Sequence, residues 1–541
     1  MADPAQQVRD WLAEYDTPDA SVAHLLCDRH DGAGVAVTEV GADLSARHLT
    51  YAELARRSRA VAAGLARMGV GPGDHVATLM GKGCDLAVAV LAIWRLGAVQ
   101  VPLFTAFAPS AIALRLGDSA ARVVVCDDDQ RPKLDAGPDI AADAPWRVVT
   151  TGPAPARPGE TTLTALAEAE GAGEGEEAAA VGGGAPFILL YTSGTTGPPK
   201  GVQVPVRALA AFHSYHHYGL DVTGGDVFWN AADPGWAYGL YHGLVGPLLA
   251  GHATLQLRAG FDPELTLDVL ETFGVTNFAA APTVYRSLRS TLKTLPPEIA
   301  VRRLSSAGEP LNPDVVDWAR DVFGVAVHDH YGQTELGMCA GNHNHPDAAA
   351  GLKPASMGTG LPGFEVRVLE PLEDTEAPAG AFGRVAVDVA ASPAMWFTGY
   401  RNDPAVAAGR FSPDRRWYLT GDTGSRDAQG HLFFSSRDDD VIVTAGYRIG
   451  PFDVESALLQ HPAVAETAVY GVPDELRGQI VAANVVLHEG VAASEELAEE
   501  LKKTVKARFA AHAYPRRITF VARLPKTPSG KIQRVRLRRG R

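Results

Sequence analysis

A chain of 541 residues exceeds what one hydrophobic core supports and points to two or more domains. Hydrophobic content of 46% with 21% charged residues is ordinary for a globular enzyme, and 49 Lys+Arg against 63 Asp+Glu, a formal charge of −14, implies no general affinity for nucleic acid or anionic membrane. Cys27, Cys84, Cys126 and Cys339 lie far apart with no Cys-x-x-Cys spacing, which argues against a disulfide framework or thiolate metal site and fits a reducing cytoplasm. The first residues lack the basic start and apolar core of a signal peptide, and no run of about eighteen apolar residues suggests a membrane span.

From the N-terminus, helical and strand patterns alternate for roughly 180 residues, which reads as α/β organisation with parallel strands. Thr50 and Glu53 form a capping box, after which Leu54, Val61, Leu65 and Met68 share a helical face and Gly69 is placed to end the helix. Residues 75–80 read as a strand, 86–96 as an apolar helix and 121–126 as a buried strand. The Ala/Glu/Gly-rich stretch 166–184 reads as a solvated connector.

The apolar run 187–191 then reads as a buried strand breaking into Thr192-Ser193-Gly194-Thr195-Thr196-Gly197-Pro198-Pro199-Lys200-Gly201. Glycines let backbone N–H groups approach a polyphosphate closely, and hydroxyls with one lysine complete such a cradle. A Walker P-loop needs Gly-Lys-Ser/Thr, whereas Lys200 stands between Pro199 and Gly201. Next, Asp233-Pro234-Gly235-Trp236-Ala237-Tyr238 is a turn set in aromatics, suited to a pocket wall or to simple packing. Ala307-Gly308-Glu309-Pro310 is a turn that could lie flat against a nucleobase, though most such turns hold nothing. Asp329-His330-Tyr331-Gly332-Gln333-Thr334-Glu335 ends in a carboxylate of the hard oxygen type that suits Mg2+ bridging phosphates, or a solvated loop residue. His343 and His345 have no evident third ligand and read as part of a polar loop. Asp422, in a turn after an aromatic strand, could accept both hydroxyls of a ribose.

Composition changes at Arg437-Asp438-Asp439-Asp440. Beyond it come strand-like 441–444, then patterns over 454–460, 467–471, 480–487, 496–509 and 518–521, a small α+β domain. The chain closes with Lys531 on a glycine turn, placed to bring a cation to a phosphate, and with Arg536, Arg538, Arg539 and Arg541, which read as a solvated basic tail.

Taken in order, these motifs resemble those of the adenylate-forming superfamily, acyl-CoA synthetase branch, and look more like its medium-chain and aryl members than its amino-acid-activating domains. The resemblance covers nearly the whole chain. It implies a large multi-subdomain N-terminal domain, 1–438, of parallel α/β sheets plus a small β-barrel-like part. A small mobile α+β C-terminal domain, 439–541, would follow, hinged near Asp439. It implies an acid–thiol ligase: a carboxylate attacks the α-phosphorus of ATP, giving acyl-AMP and pyrophosphate, and CoA then takes the acyl group. By resemblance Thr192, Ser193, Gly194, Thr195, Thr196, Gly197 and Lys200 hold phosphates, with Thr195, Lys200, Glu335 and Lys531 catalytic. Gly308, Glu309 and Pro310 stack on adenine, and Asp329, His330, Tyr331, Gly332, Gln333 and Thr334 complete the nucleotide site. Asp422 and Arg437 hold ribose and phosphate, and Glu335 holds Mg2+. Trp236, Ala237, Tyr238, Ala307 and Gly332 line the acyl pocket, and Gly446, Tyr447 and Arg448 the CoA tunnel.

Acetate-specific relatives place tryptophan at the position of Gly332, so an acid larger than acetate is expected. Acetyl-CoA synthetases also carry asparagine where this chain has Val443, which puts one polar contact in doubt. The expected partners are the carboxylic acid, ATP and CoA, with no nucleic acid and no membrane. A carrier protein remains the alternative acceptor, a member that only thioesterifies a preformed acyl-AMP the alternative activity, and a homodimer is among the assemblies left open.

Overall fold

A computed structural model describes residues 3–168, 177–192, 199–292, 294–353, 355–444, 447–474, 477–510, 512–526 and 532–538. Two large mixed sheets dominate. In the first, of seven strands, Thr161–Thr162, Arg147–Thr150, Val123–Cys126, His75–Leu79, Val99–Pro102 and Pro186–Thr192 run parallel, and Lys200–Pro205 pairs antiparallel at the edge. The second has nine strands. Its parallel centre runs Val327–Gln333, Arg303–Ala307, Asn277–Ala280, Phe228–Asn230, Thr254–Arg258 and Val35–Gly41, with antiparallel edges. Near-continuous Val/Ile/Leu runs such as Val123–Cys126, buried throughout, are what strands covered on both faces require.

The capping box forms as expected: Thr50 Oγ1 accepts from Glu53 N and Glu53 accepts from Thr50 N, opening the helix Tyr51–Arg67. The helix expected over 86–96 spans Cys84–Arg95, apolar all round because it is buried all round. The Ala/Glu/Gly connector is less solvated than its composition suggests. Leu166 is 7% exposed and packs where Gly64 leaves room, and Gly182 and Gly183 donate backbone hydrogen bonds to Ala20 and Thr17. One leucine and a backbone that can approach closely suffice to anchor both ends of a segment poor in apolar residues.

The small β part is a four-stranded antiparallel sheet, Val366–Leu369, Phe382–Asp388, Trp417–Arg426 and Leu432–Arg437. A turn at Asp438–Asp440 follows. Beyond it Ile442–Thr444, Tyr447–Ile449, Val464–Asp474, Gly478–Leu487 and Arg517–Phe520 make a separate five-stranded sheet, packed by the helices Pro451–Leu459 and Glu495–Arg508. This C-terminal domain has its own core, including Val454, Leu458, Val469, Val485, Leu501 and Val505. Arg538 is no solvated tail: its guanidinium donates to the Asp440 carboxylate and, at 3.3 Å, to Asp439 O. Among the described residues no helix is long and apolar enough to cross a membrane.

Candidate active site

The strand Val327–Gln333 organises the site. Strand alternation sends Asp329 and Tyr331 to one face and His330 to the other. On the first face, Tyr331 donates to Asp422 Oδ2 at 2.5 Å and Gln333 Nε2 to the same oxygen at 2.7 Å. Arg437 reaches Asp422 Oδ1 at 3.1 Å, and the Asp422 carboxylate holds the Arg437 pKa up. Asp422 is 4% exposed, on the strand Trp417–Arg426 of the four-stranded sheet, so two sheets meet at one carboxylate.

Asp329 is half-buried, and desolvation pushes its carboxyl well above the usual range although the Leu311 and His330 backbone N–H groups oppose this. Its Oδ1 has no hydrogen-bond partner among the described residues. An orphaned acceptor of this kind fits the exocyclic amine of a purine, since a buried polar atom without a partner costs about 1–3 kcal/mol.

His330 is placed differently from expectation. It is 3% exposed, its Nδ1 meets Tyr215 Oη at 2.7 Å and its Nε2 meets Asn342 O at 3.2 Å, so both ring nitrogens are used inside the fold, away from the face of Asp329 and Tyr331. Gly332 also has a reason of its own. A Cβ there would lie 2.1 Å from Gly337 O, so the hairpin between Val327–Gln333 and Gly337–Gly341 admits no side chain at this position.

Glu335, 5% exposed, accepts from Tyr400 Oη at 2.6 Å and has Arg410 at 3.5 Å. Arg410 also donates to Tyr400 Oη at 3.0 Å and to Thr420 O at 3.0 Å. Burial works against the Arg410 charge, yet Tyr418, Tyr400 and Glu335 outweigh it and hold its pKa up. Thr192 and Lys200 are cross-strand partners flanking the hydroxyl-rich loop, and Lys200 Nζ lies 5.3 Å from the Tyr400 ring centroid. Ser193, Gly194, Thr195, Thr196 and Gly197, with Gly446 and Lys531, lie outside the described residues.

The Asp-x-Gly-Trp turn is held from below. Lys82, partly buried, donates to Ala231 O at 2.6 Å, and desolvation pulls its pKa down while Asp233 opposes. Trp236 then lies against Gly308, whose φ of +99° and lack of a Cβ allow an indole carbon within 2.9 Å of where that Cβ would stand. Glu309 is held by Thr283 and by Arg286 at 2.8 Å, which leaves the backbone of Gly308–Pro310 to form the flat surface. Ala237, Tyr238 and Ala307 are buried beside this turn. Thr334 O accepts from Tyr241 Oη at 3.3 Å.

In the C-terminal domain Tyr447 is 52% exposed and stacks on His512 with ring centroids 4.1 Å apart, and Arg448 beside it is exposed. Val443, paired with Arg448, is 45% exposed. Asp439 is 3.7 Å from Arg437 Nε. His343 is buried against Gly360 O while His345 accepts from Asp347 N, and no cluster of three metal-ligating side chains occurs among the described residues. Tyr400, Arg410 and Lys82 escaped the sequence reading. The aromatic stretch Trp396-Phe397-Thr398-Gly399-Tyr400 was the available signal for the first.

The arrangement joins a buried unpaired acceptor, a carboxylate ringed by donors, and a second carboxylate beside a tyrosine and an arginine. A divalent cation here would have Glu335 as its protein ligand, with phosphate and water oxygens completing the shell, a donor set that suits Mg2+.

Comparison with known proteins agrees. The chain matches the family of AMP-binding enzymes over residues 29–400 and the AMP-binding enzyme C-terminal domain over 453–531. It is 36% identical to an acetyl-coenzyme A synthetase of Bacillus subtilis (strain 168), covering 90% of this chain and 84% of that protein. It is 34% identical to the mitochondrial acyl-coenzyme A synthetase ACSM4 of Rattus norvegicus, covering 90% and 83%. A crystal structure of a Brucella canis acyl-CoA synthetase superimposes with a TM-score of 0.75 at 42% identity, covering 100% of this chain and 97% of that one. This chain therefore belongs to the AMP-binding, adenylate-forming enzyme family, in its acyl-CoA synthetase branch.

Proposed function

We propose that this chain is an AMP-forming acyl-CoA synthetase that activates a carboxylic acid larger than acetate with ATP and transfers the acyl group to CoA. The observation that carries this reading is one continuous hydrogen-bonded path. It runs from Asp422 through Gln333 to Thr420 O, through Arg410 to Tyr400, and ends on Glu335. The path fixes a ribose-type carboxylate and a cation-type carboxylate relative to each other, as a nucleotide triphosphate requires for in-line attack.

In the first step an oxygen of the acid's carboxylate attacks the α-phosphorus, and the bond to the pyrophosphate oxygen breaks. Asp422 holds the ribose, Asp329 the adenine amine, and Lys200 and Lys531 face the phosphates. Preorganised positive charge acts where the equatorial oxygens gather negative charge. Mg2+, held through Glu335, would neutralise the phosphates. In the second step the thiol of CoA attacks the acyl carbon and AMP leaves. Between the steps the C-terminal domain turns about Asp439, withdrawing Lys531 and presenting Gly446, Tyr447 and Arg448 to CoA, a gating motion. Four buried, unpaired cysteines support a reducing cytoplasm as its setting.

The size of the acid rests on the small, buried Ala237 and Ala307. A panel of acids from acetate upward, with ATP and Mg2+, with and without CoA, tests the reading by pyrophosphate, AMP and acyl-CoA. All three products are expected with acids larger than propionate. Preference for acetate overturns the size assignment. Acyl-CoA only from supplied acyl-AMP overturns the first half-reaction, and turnover only with a phosphopantetheinylated carrier protein overturns CoA as acceptor.

A further inference from the structure

Two helices facing each other widen at matching places. Leu209–Ser214 passes into a π-helical turn at Tyr215–Gly219, and Ala237–Leu240 passes into another at Tyr241–Val245. Such turns are uncommon and cluster at functional sites, where the extra residue re-aims a side chain. Here they point Tyr215 and His242 at each other, ring centroids 4.4 Å apart. Phe212, Tyr238 and Tyr241 complete a ring of aromatics around His242 at 5.6, 5.7 and 6.0 Å.

The neighbouring polar groups are already satisfied. Tyr238 Oη meets Tyr215 Oη at 3.1 Å, Tyr215 meets His330 Nδ1, and His330 Nε2 meets Asn342 O. His242 is the exception in this cluster: it is 0% exposed, and neither ring nitrogen has a partner among the described residues. Its Nε2 is 4.0 Å from where a Cβ on Gly337 would stand, at the turn that follows Glu335. It lies one helical turn beyond Tyr238, on the same face. Its ring thus lies between Tyr238, assigned to the acyl wall, and the hairpin that bears Thr334 and Glu335.

A neutral imidazole offers one donor and one acceptor, and leaving both unmet inside a protein costs about 1–3 kcal/mol each. Burial pulls the His242 pKa down to about 3, so the ring is neutral and suits no carboxylate partner. A hydroxyl or amino group, able to donate to one ring nitrogen or accept from the other, does suit it.

We propose that His242 is a specificity-determining residue of the acyl site, hydrogen-bonding a hydroxyl or amino substituent on the carbon skeleton of the carboxylic acid. This rests on the acyl-CoA synthetase reading given above. The substrates favoured are hydroxy- or amino-substituted acids over the same acids bearing a methyl group at that position.

The test is a set of matched twins: positional isomers of hydroxy-, amino- and methylbenzoate, and chain-terminal hydroxy- and methyl-alkanoates, assayed for acyl-CoA formation. At least one hydroxyl or amino isomer should exceed its methyl twin in kcat/KM by roughly tenfold to a hundredfold, the range of one buried hydrogen bond with its unmet partner. His242→Phe should bring that ratio close to one. The wild-type ratio needs no variant, and His242→Gln, which keeps a donor and an acceptor, should retain part of it. Methyl twins used equally well throughout, or a preference unchanged in His242→Phe, overturns the proposal. A chain that releases no pyrophosphate with any acid overturns the synthetase activity itself, a different result from indifferent use of every twin.

Discussion

Asp422→Asn tests the nucleotide site most directly, because the substitution keeps the shape and removes the charge. A carboxylate presents about four acceptor directions. Tyr331 and Gln333 take two on Oδ2, at 2.5 and 2.7 Å, and Arg437 takes one on Oδ1, at 3.1 Å. A ribose diol needs two. One is open and the longest bond is the one to Arg437, so nucleotide binding would free Arg437 from Asp422 and let it turn towards phosphate. Two hydrogen bonds to a charged acceptor contribute about 1.5–3 kcal/mol each, and an asparagine that keeps one of them as a neutral bond of about 1 kcal/mol loses about 2 kcal/mol or more. At 1.4 kcal/mol per factor of ten, kcat/KM for ATP should fall by about 30-fold or more. The assay is initial-rate pyrophosphate release against ATP and against 2′-deoxy-ATP. The wild type should prefer ATP strongly, and Asp422→Asn should scarcely distinguish the two nucleotides. If the variant keeps kcat/KM within about threefold, or still discriminates against the deoxy nucleotide as the wild type does, Asp422 does not hold the ribose.

Three further outcomes follow from the same geometry. Lys531→Ala should cripple pyrophosphate release yet largely spare thioester formation from supplied acyl-AMP; equal loss in both would sink the division of labour between the two conformations. Arg534 holds Glu455 through two bonds of 2.6 and 2.8 Å, and Glu455 is 6% exposed. Arg534→Met should strand that buried carboxylate and cost about 3 kcal/mol in chemical denaturation of the C-terminal domain, where a change below about 1 kcal/mol would show the pair to be dispensable. Asp453, receiving the Ser435 hydroxyl at 2.5 Å, has its pKa raised by burial to about 6. Its folded form binds the proton more tightly than the unfolded form does, so this stabilisation is complete below about pH 4 and is lost as pH rises through about 6. Thermal unfolding compared between wild type and Asp453→Asn should show the wild type losing stability relative to the variant across that window; parallel curves would refute the assignment.

Sequence legibility tracked how local each feature is. The strand Pro186–Thr192, the capping box at Thr50 and Glu53, and the C-terminal elements from Pro451 to Phe520 were readable because each is written in consecutive residues with a clear period or cap. The motifs bearing Tyr331 and Asp422 were each readable, but not the bond between them, which joins residues 91 apart through two sheets. Tyr400 and Arg410 left no such mark: their meaning comes from Glu335, which folding alone brings to them. The side chain of His330 turns away from Asp329 and Tyr331, which a motif read as a string does not show because it ignores strand alternation. Gly332 shows a related limit. Its missing side chain was read as an absent pocket wall, whereas the backbone of Gly337 already excludes one.

Charge around Glu335 also predicts the order in which ligands would arrive. Tyr400 Oη and Arg410 contact this carboxylate, and Lys200 Nζ lies 5.3 Å from the Tyr400 ring centroid. A bare divalent cation would meet two positive side chains around a single negative one, in a site too buried for water to screen them well. A nucleotide triphosphate reverses that balance, since its phosphates bring more negative charge than Lys200 and Arg410 offset. We therefore propose that cation and nucleotide enter together, and that the same two basic groups that repel the cation alone would orient the phosphates. The Arg410–Tyr400–Glu335 contacts serve this by holding the carboxylate in place before the substrate arrives, so that binding energy goes into aligning the α-phosphorus instead of assembling the site.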